Sequence, residues 1–334
     1  MARTPSFVTQ QRLAQGAFLK AIAPEKAGFG EADYRLPPGD HLLNLADSIR
    51  ADADPYFDLY GITRHRHLAH GLSSQACCLN FLMPLARRPD RLSQVVAKAL
   101  AIPPPKMLPV EDGPGGRWFV GFEWIGEGDP LGEWPKTGRV TRGANVTSAD
   151  AVVMFDHDGR TETLLIEWKY TEAYGAPLQD NVRPDGKLSG NAKRTARYAD
   201  KAFAPHGPIR NDLGLEVKDF FWEPFYQLLR QQMLARRLEH APGGQRTRVL
   251  HISPHANLAL HAVTSPAFCK RGYSDAFDAF KAVLVDEADG VPRFESVYSE
   301  DLFGPMATAT PNDPWAAYLL RRYDFLSAAR PPQR

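Results

Sequence analysis

Two apolar runs, 150–156 and 161–170, meet at Asp158-Gly159, and this junction constrains the fold more than any other feature of the chain. Asp-Gly between two strand-forming runs marks a tight antiparallel hairpin, because both residues tolerate the positive φ that such a turn demands. With an even loop at that point His157 faces Arg160, and counting back along the ladder sets Asp150 opposite Glu167. Opposed residues share a face, with Cβ atoms about 4.5–5.5 Å apart, and Lys169 lies two residues further along that face. A slip of one residue would send Asp150 to the other side.

Two like charges facing each other across a ladder are destabilising, and a strand built on Leu164, Leu165 and Ile166 has no structural need to end in Glu and Lys. A divalent cation would offset the repulsion. No histidine or cysteine accompanies the pair in sequence, so the donor set suits Mg²⁺, which takes few carboxylates together with waters and phosphate oxygens, better than zinc. The chemistry implied is metal-assisted phosphodiester hydrolysis, with Lys169 orienting or activating the attacking water and neutralising developing charge. A surface ion pair at a strand end is the plainer alternative, and it leaves the opposed Asp150 unexplained.

The rest of the chain predicts an α/β architecture, α+β in its mixed sheet. Glycine and proline number 26 and 28 of 334 residues, enough to separate the elements by many turns. Residues 1–72 form an N-terminal accessory region, with a helix start at Asp54-Pro55. Apolar residues from Ala76 to Leu85 and from Leu92 to Leu100 recur at helical spacing, and 103–105, all proline, ends the second run. Trp118, Val120, Phe122 and Trp124 alternate as one strand, followed by an irregular loop over 126–148. Helices are expected over 191–203 and 223–240, and a further strand over 248–252 closes a core spanning 73–255. Residues 256–334 are expected as a helical extension, with helices near 276–285 and after Asp313-Pro314.

Forty basic against thirty-nine acidic residues leave a net charge of +1, so no overall positive field gathers nucleic acid or membrane, and a polyanion needs a local patch. One such patch is Lys193, Arg194, Arg197 and Lys201 at near-helical spacing, with Arg183 and Lys187 just before; Gln227 and Arg230 on the next helix are weaker candidates for the same role. Glu123 either supplements the acidic pair or is an exposed strand glutamate. His65, His67 and His70 form an HxHxxH run without an acidic or cysteine neighbour in sequence. Three cysteines, two of them adjacent, lack zinc spacing. With no leader-like start and no long apolar run, a cytoplasmic, bacterial protein is expected.

Ser148-Ala149-Asp150, followed seventeen positions after the aspartate by Glu167 within Ile166-Glu167-Trp168-Lys169-Tyr170, resembles the PD-(D/E)xK restriction-endonuclease-like nucleases. Together with 74–82, which opens Ser74-Gln75-Ala76, and 225–230, which opens Phe225-Tyr226-Gln227, these stretches are similar to a group of uncharacterised bacterial restriction endonucleases in that superfamily, over about residues 73–255. The resemblance implies a restriction-endonuclease-like αβββαβ core, metal ligation by Asp150, Glu167 and the backbone carbonyl of Trp168, and Lys169 as the catalytic lysine. It also implies a Mg²⁺-dependent endonuclease, with Mn²⁺ able to substitute, that cuts DNA to leave a 5′ phosphate; RNA stays open as a substrate. Ala149 stands where the superfamily's name has proline, a position that tolerates replacement. The alternative is a catalytically silent nucleic-acid-binding or scaffold protein that keeps the fold. The flanking regions would serve substrate selection or a homodimer surface.

Overall fold

The computed structural model describes residues 5–180, 189–203, 205 and 207–327. Four helices come first: α1 (Phe7–Ile22), α2 (Asp47–Tyr60), α3 (Ser74–Leu82) and α4 (Pro89–Leu100). Short strands β1 (Lys106–Leu108), β2 (Glu111–Gly113), β3 (Gly116–Trp118) and β4 (Gly121–Trp124) lead to the long hairpin, β5 (Ala149–His157) and β6 (Arg160–Trp168). Then follow α5 (Gly190–Ala202), α6 (Phe225–Glu239), β7 (Arg246–Ser253), α7 (Leu258–His261), α8 (Pro266–Cys269), α9 (Ala276–Lys281), β8 (Phe294–Tyr298), α10 (Ser299–Ala309) and α11 (Pro314–Arg322).

The main sheet runs β1-β5-β6-β7-β8, with β4 also paired to β5; β1, β4 and β6 are antiparallel to β5, whereas β6, β7 and β8 run parallel. This is the mixed α/β sheet with helical additions that the sequence predicts. The hairpin turns where expected, with Asp158 at φ 54° and Gly159 at φ 72°. His157 pairs with Arg160, and the last ladder pair, Ala151 with Ile166, makes Asp150 and Glu167 the next residues along. The sheet separates two cores. Ala151, Val153, Leu164, Ile166 and Trp168 face the layer that includes α1 to α4, while Val152, Leu165 and Val249 face α5, α6 and α9. Burial of Leu164, Leu165 and Ile166 contributes about 1.5–3 kcal/mol each, ample to carry the cost of a charged strand end.

Residues from both flanking regions complete the first core. The buried guanidinium of Arg322 donates from Nε to Gln15 Oε1 at 3.0 Å and from Nη1 to Asn44 O and to the Tyr318 hydroxyl, each at 2.6 Å. Among the described residues no helix is long and apolar enough to cross a membrane.

Four expectations are corrected. Helix α2 begins at Asp47, so Pro55 lies inside it and Asp54 is turned to Arg64 and His41 instead of capping a start. The strand expected over 118–124 is broken, because Phe119 N–H donates to Ala86 O while β3 pairs with β2 and β4 with β5. The 256–334 region is not purely helical, since β8 adds a parallel strand beside β7. The helix expected to reach 285 stops at Lys281.

Candidate active site

The end of the hairpin opens on a cleft of about 180 Å³ lined by Asp150, Glu167 and Lys169 from the sheet, Gln231 from α6, and Glu123 and His65 from further off in sequence. Asp150, Glu167 and Lys169 are thus brought together as expected. Lys169 Nζ stands 2.5 Å from Glu167 Oε1 and 3.8 Å from Asp150 Oδ2. Asp150 Oδ2 accepts the backbone N–H of Trp168 at 2.6 Å, and Trp168 turns its indole into the core against Phe81 and Phe303. Gln231 donates from Nε2 to Glu167 Oε2 at 2.9 Å and to Ser148 O at 2.7 Å, so that α6 holds both strands at their acidic ends.

Burial, with the charge of Glu167 beside it, pushes the Asp150 carboxyl well above the usual range. Burial alone would lower the Lys169 ammonium, but Glu167 and Asp150 hold it well above the ordinary lysine value, so the lysine is charged at neutral pH.

Glu123 is buried, which settles against the exposed reading. Its neighbours Phe122 and Trp124 pair with Ala151 and Ala149, which sets Glu123 opposite Asp150, and its own φ of 47° lies in the left-handed region. Such a conformation in a non-glycine residue costs about 1–3 kcal/mol and persists where surrounding contacts impose it. Here Gln75 Nε2 donates to Glu123 Oε1 at 2.7 Å and Ser148 Oγ to Oε2 at 3.2 Å, with His65 Nε2 3.5 Å from Oε1. Burial raises the Glu123 carboxyl, against the opposing pull of His65. The HxHxxH run does not converge: Arg66 Nε donates to His67 Nε2 and Arg35 Nε to His70 Nε2, while His65 alone joins the cleft. His65 is therefore a site residue whose acidic partner is supplied by a strand distant in sequence.

The expected nucleic-acid contacts divide. Lys193 and Arg197 are exposed on α5; Arg194 is partly buried over the Tyr226 ring and bonded to Asn191. Gln227 and Arg230 line the cleft. Arg230 is mostly buried, its Nε 3.3 Å from Glu133 Oε1 and 2.9 Å from Thr147 Oγ1, and Tyr198 also donates to Glu133. Its first role is thus to anchor the 126–148 loop. Arg183 and Lys187 lie outside the described residues. Glu223, read from sequence only as a helix start, is a half-buried carboxyl raised to about 7 by burial, within the fields of Lys169 and Glu167. Nothing in its sequence surroundings signals that position.

Among the described residues no group of three or more His, Cys, Asp or Glu converges on one point. The close donors are the pair of carboxylates on β5 and β6, with hard oxygen atoms. A family model described as Restriction Endonuclease associating with ARP matches residues 11–324. The chain belongs to that family. As a member of a restriction-endonuclease family it has DNA as its implied substrate, and the match takes in most of both flanking regions as well as the sheet. No curated protein and no solved structure matches the chain.

Proposed function

We propose that this family member is a Mg²⁺-dependent endonuclease of the PD-(D/E)xK kind, hydrolysing DNA phosphodiester bonds in a restriction or other defence role. The observation that carries the reading is the meeting of Asp150, Glu167 and Lys169 at one cleft, set by the hairpin register. Glu123, Asp150 and Glu167 crowd three buried or half-buried carboxyls beside a single lysine, and a hard divalent cation would supply the positive charge that keeps the acidic pair ionised where burial raises Asp150 and Glu123. Asp150, Glu167 and the backbone carbonyl of Trp168 are the groups that would hold Mg²⁺, or Mn²⁺ in its place. When bound, the ion supplies polarisation of the phosphate and a more acidic water.

The chain's own residues supply the remainder. Lys169, held charged by its acidic neighbours, orients the attacking water and offsets charge that develops on the phosphate oxygens. Gln231 fixes the rotamer of Glu167 through Oε2 and leaves Oε1 to the lysine. Lys193 and Arg197, exposed on α5, supply backbone contacts that position DNA without reading its sequence. The family's description names association with ARP, and the proposal extends to this chain working beside such a partner.

Incubation with supercoiled plasmid, single-stranded DNA and RNA, with Mg²⁺, Mn²⁺ or chelator and alongside Lys169→Ala, tests the reading. Metal-dependent DNA cleavage that disappears in the variant is expected. Cleavage surviving in Lys169→Ala would sink the site assignment, and wild-type silence on every substrate, with or without the partner, would favour a silent binding module.

A further inference from the structure

We infer that His65 is the general acid that protonates the leaving 3′ oxygen, from the side of the cleft opposite Lys169; this rests on the nuclease reading above. The basis is a row of three residues across adjacent strands. Glu123 on β4, Asp150 on β5 and Glu167 on β6 are successive cross-strand neighbours by register, spaced at about 4.8 Å per strand. Lys169 meets the β6 end of this row, 2.5 Å from Glu167. His65 meets the β4 end, with Nε2 3.5 Å from Glu123 Oε1. The two basic side chains in contact with the row therefore flank Asp150 from opposite sides. Displacement at phosphorus places the attacking and leaving oxygens in line on opposite sides of the reacting centre, and the two ends of the row match those two positions.

The His65 end is a built site. Gln75, itself buried, accepts the backbone N–H of His65 through Oε1 at 3.0 Å and donates through Nε2 to Glu123 at 2.7 Å, so one side chain sets both members of the pair. Gly143 lies over the same carboxylate, where a Cβ would come within 3.0 Å of Glu123 Oε2. Glu123 has its oxygens committed to Gln75, Ser148 and His65, which assigns it to orienting the His65 imidazole. The imidazole is 44% exposed at the cleft mouth, open to a substrate, and Nδ1 has no partner among the described residues. In the step, a water oxygen bonds to phosphorus and loses its proton to solvent. The P–O3′ bond breaks with its electron pair going to O3′, which takes the proton from His65. The imidazole is reprotonated from solvent.

The test compares leaving groups. Plasmid DNA expels an alkoxide that needs a proton, whereas bis(p-nitrophenyl) phosphate expels a phenolate that does not. For His65→Gln, plasmid cleavage should fall in kcat by about 10²–10⁴-fold, the usual worth of a general acid, with hydrolysis of the aryl ester changed by no more than about threefold. Glu123→Gln should show the same selectivity with a smaller loss. The Mg²⁺-induced rise in melting temperature, read on the same His65→Gln protein, should match the wild type and show that the fold and the acidic pair are intact. An equal fall on both substrates, or no fall on either, overturns the general-acid role while leaving the nuclease reading in place. Wild-type inactivity on both substrates fails the nuclease reading itself, and the general acid with it.

Discussion

Asp150 accepts the backbone N–H of Trp168 through Oδ2 at 2.6 Å, which fastens the first acid of the cleft to the stretch of chain between Glu167 and Lys169. The side chain does here what the next rung of the β5–β6 ladder would do, since regular pairing stops at Ala151 and Ile166. Asparagine can accept the same hydrogen bond without the charge. Asp150→Asn should therefore fold with a metal-free melting temperature at or above wild type. Wild type should gain about 2.7 kcal/mol at a hundredfold excess of Mg²⁺ over its Kd, and the variant should lose most of that gain. Thermal melts with and without metal measure both quantities, and an undiminished gain in the variant would remove Asp150 from the metal site.

Gln231 is the only described α6 residue hydrogen-bonded to Glu167, and it also holds Ser148 O. Partners of ligating carboxylates typically carry about 10–100-fold in metal affinity. Gln231→Ala is expected to raise the Mg²⁺ concentration needed for half-maximal cleavage by that factor, with a smaller change in rate at saturating metal. An unchanged metal dependence would separate α6 from the site.

Arg230 and Arg197 should behave differently although both are arginines near the cleft. Arg230→Ala leaves the buried Glu133 carboxylate with Thr147 and Tyr198 as donors but without its cationic partner, and is expected to cost about 1.5–3 kcal/mol of stability, seen as a shifted denaturation midpoint. Arg197→Ala should leave stability within about 0.5 kcal/mol and lower the salt dependence of DNA binding by about one phosphate contact. The reverse pattern would restore Arg230 as a DNA contact and make Arg197 structural.

The Glu223 carboxyl, raised to about 7, gives a signed pH dependence. The folded state binds this proton more tightly than the unfolded one, so its contribution is fully present below the ordinary glutamate value, near 4.3, and is lost as pH rises through about 7. Glu223→Gln should flatten the fall in metal-free stability between pH 4 and 7 and raise stability at pH 8 by about 1 kcal/mol after allowing for screening. Denaturation curves at three pH values decide this, and an unaltered slope would refute it.

The hairpin and its charged end were legible because side-chain direction in a strand has period two and Asp158-Gly159 pins the register. The helices α3, α4 and α6 followed from apolar spacing, which places them near 76–85, 92–100 and 223–240. What stayed hidden depends on contacts between distant segments. β8 is short and mostly half-buried, so it carries no clear alternation and becomes a strand by docking beside β7. Pro55 signals a helix start locally, yet the flanking turns of α2 pack well enough to tolerate it inside. Glu123 gains its place from a left-handed φ and from Gln75, and His65 from Glu123; neither signal is local.

The contacts of Arg322 set an order on the making of this protein. Gln15 and Asn44 wait for a partner that is synthesised some three hundred positions later. In the layer that backs the acidic hairpin, Arg322 closes hydrogen bonds to groups that the N-terminal region alone leaves open. The backing of Asp150 and Glu167 is therefore a joint product of both flanking regions.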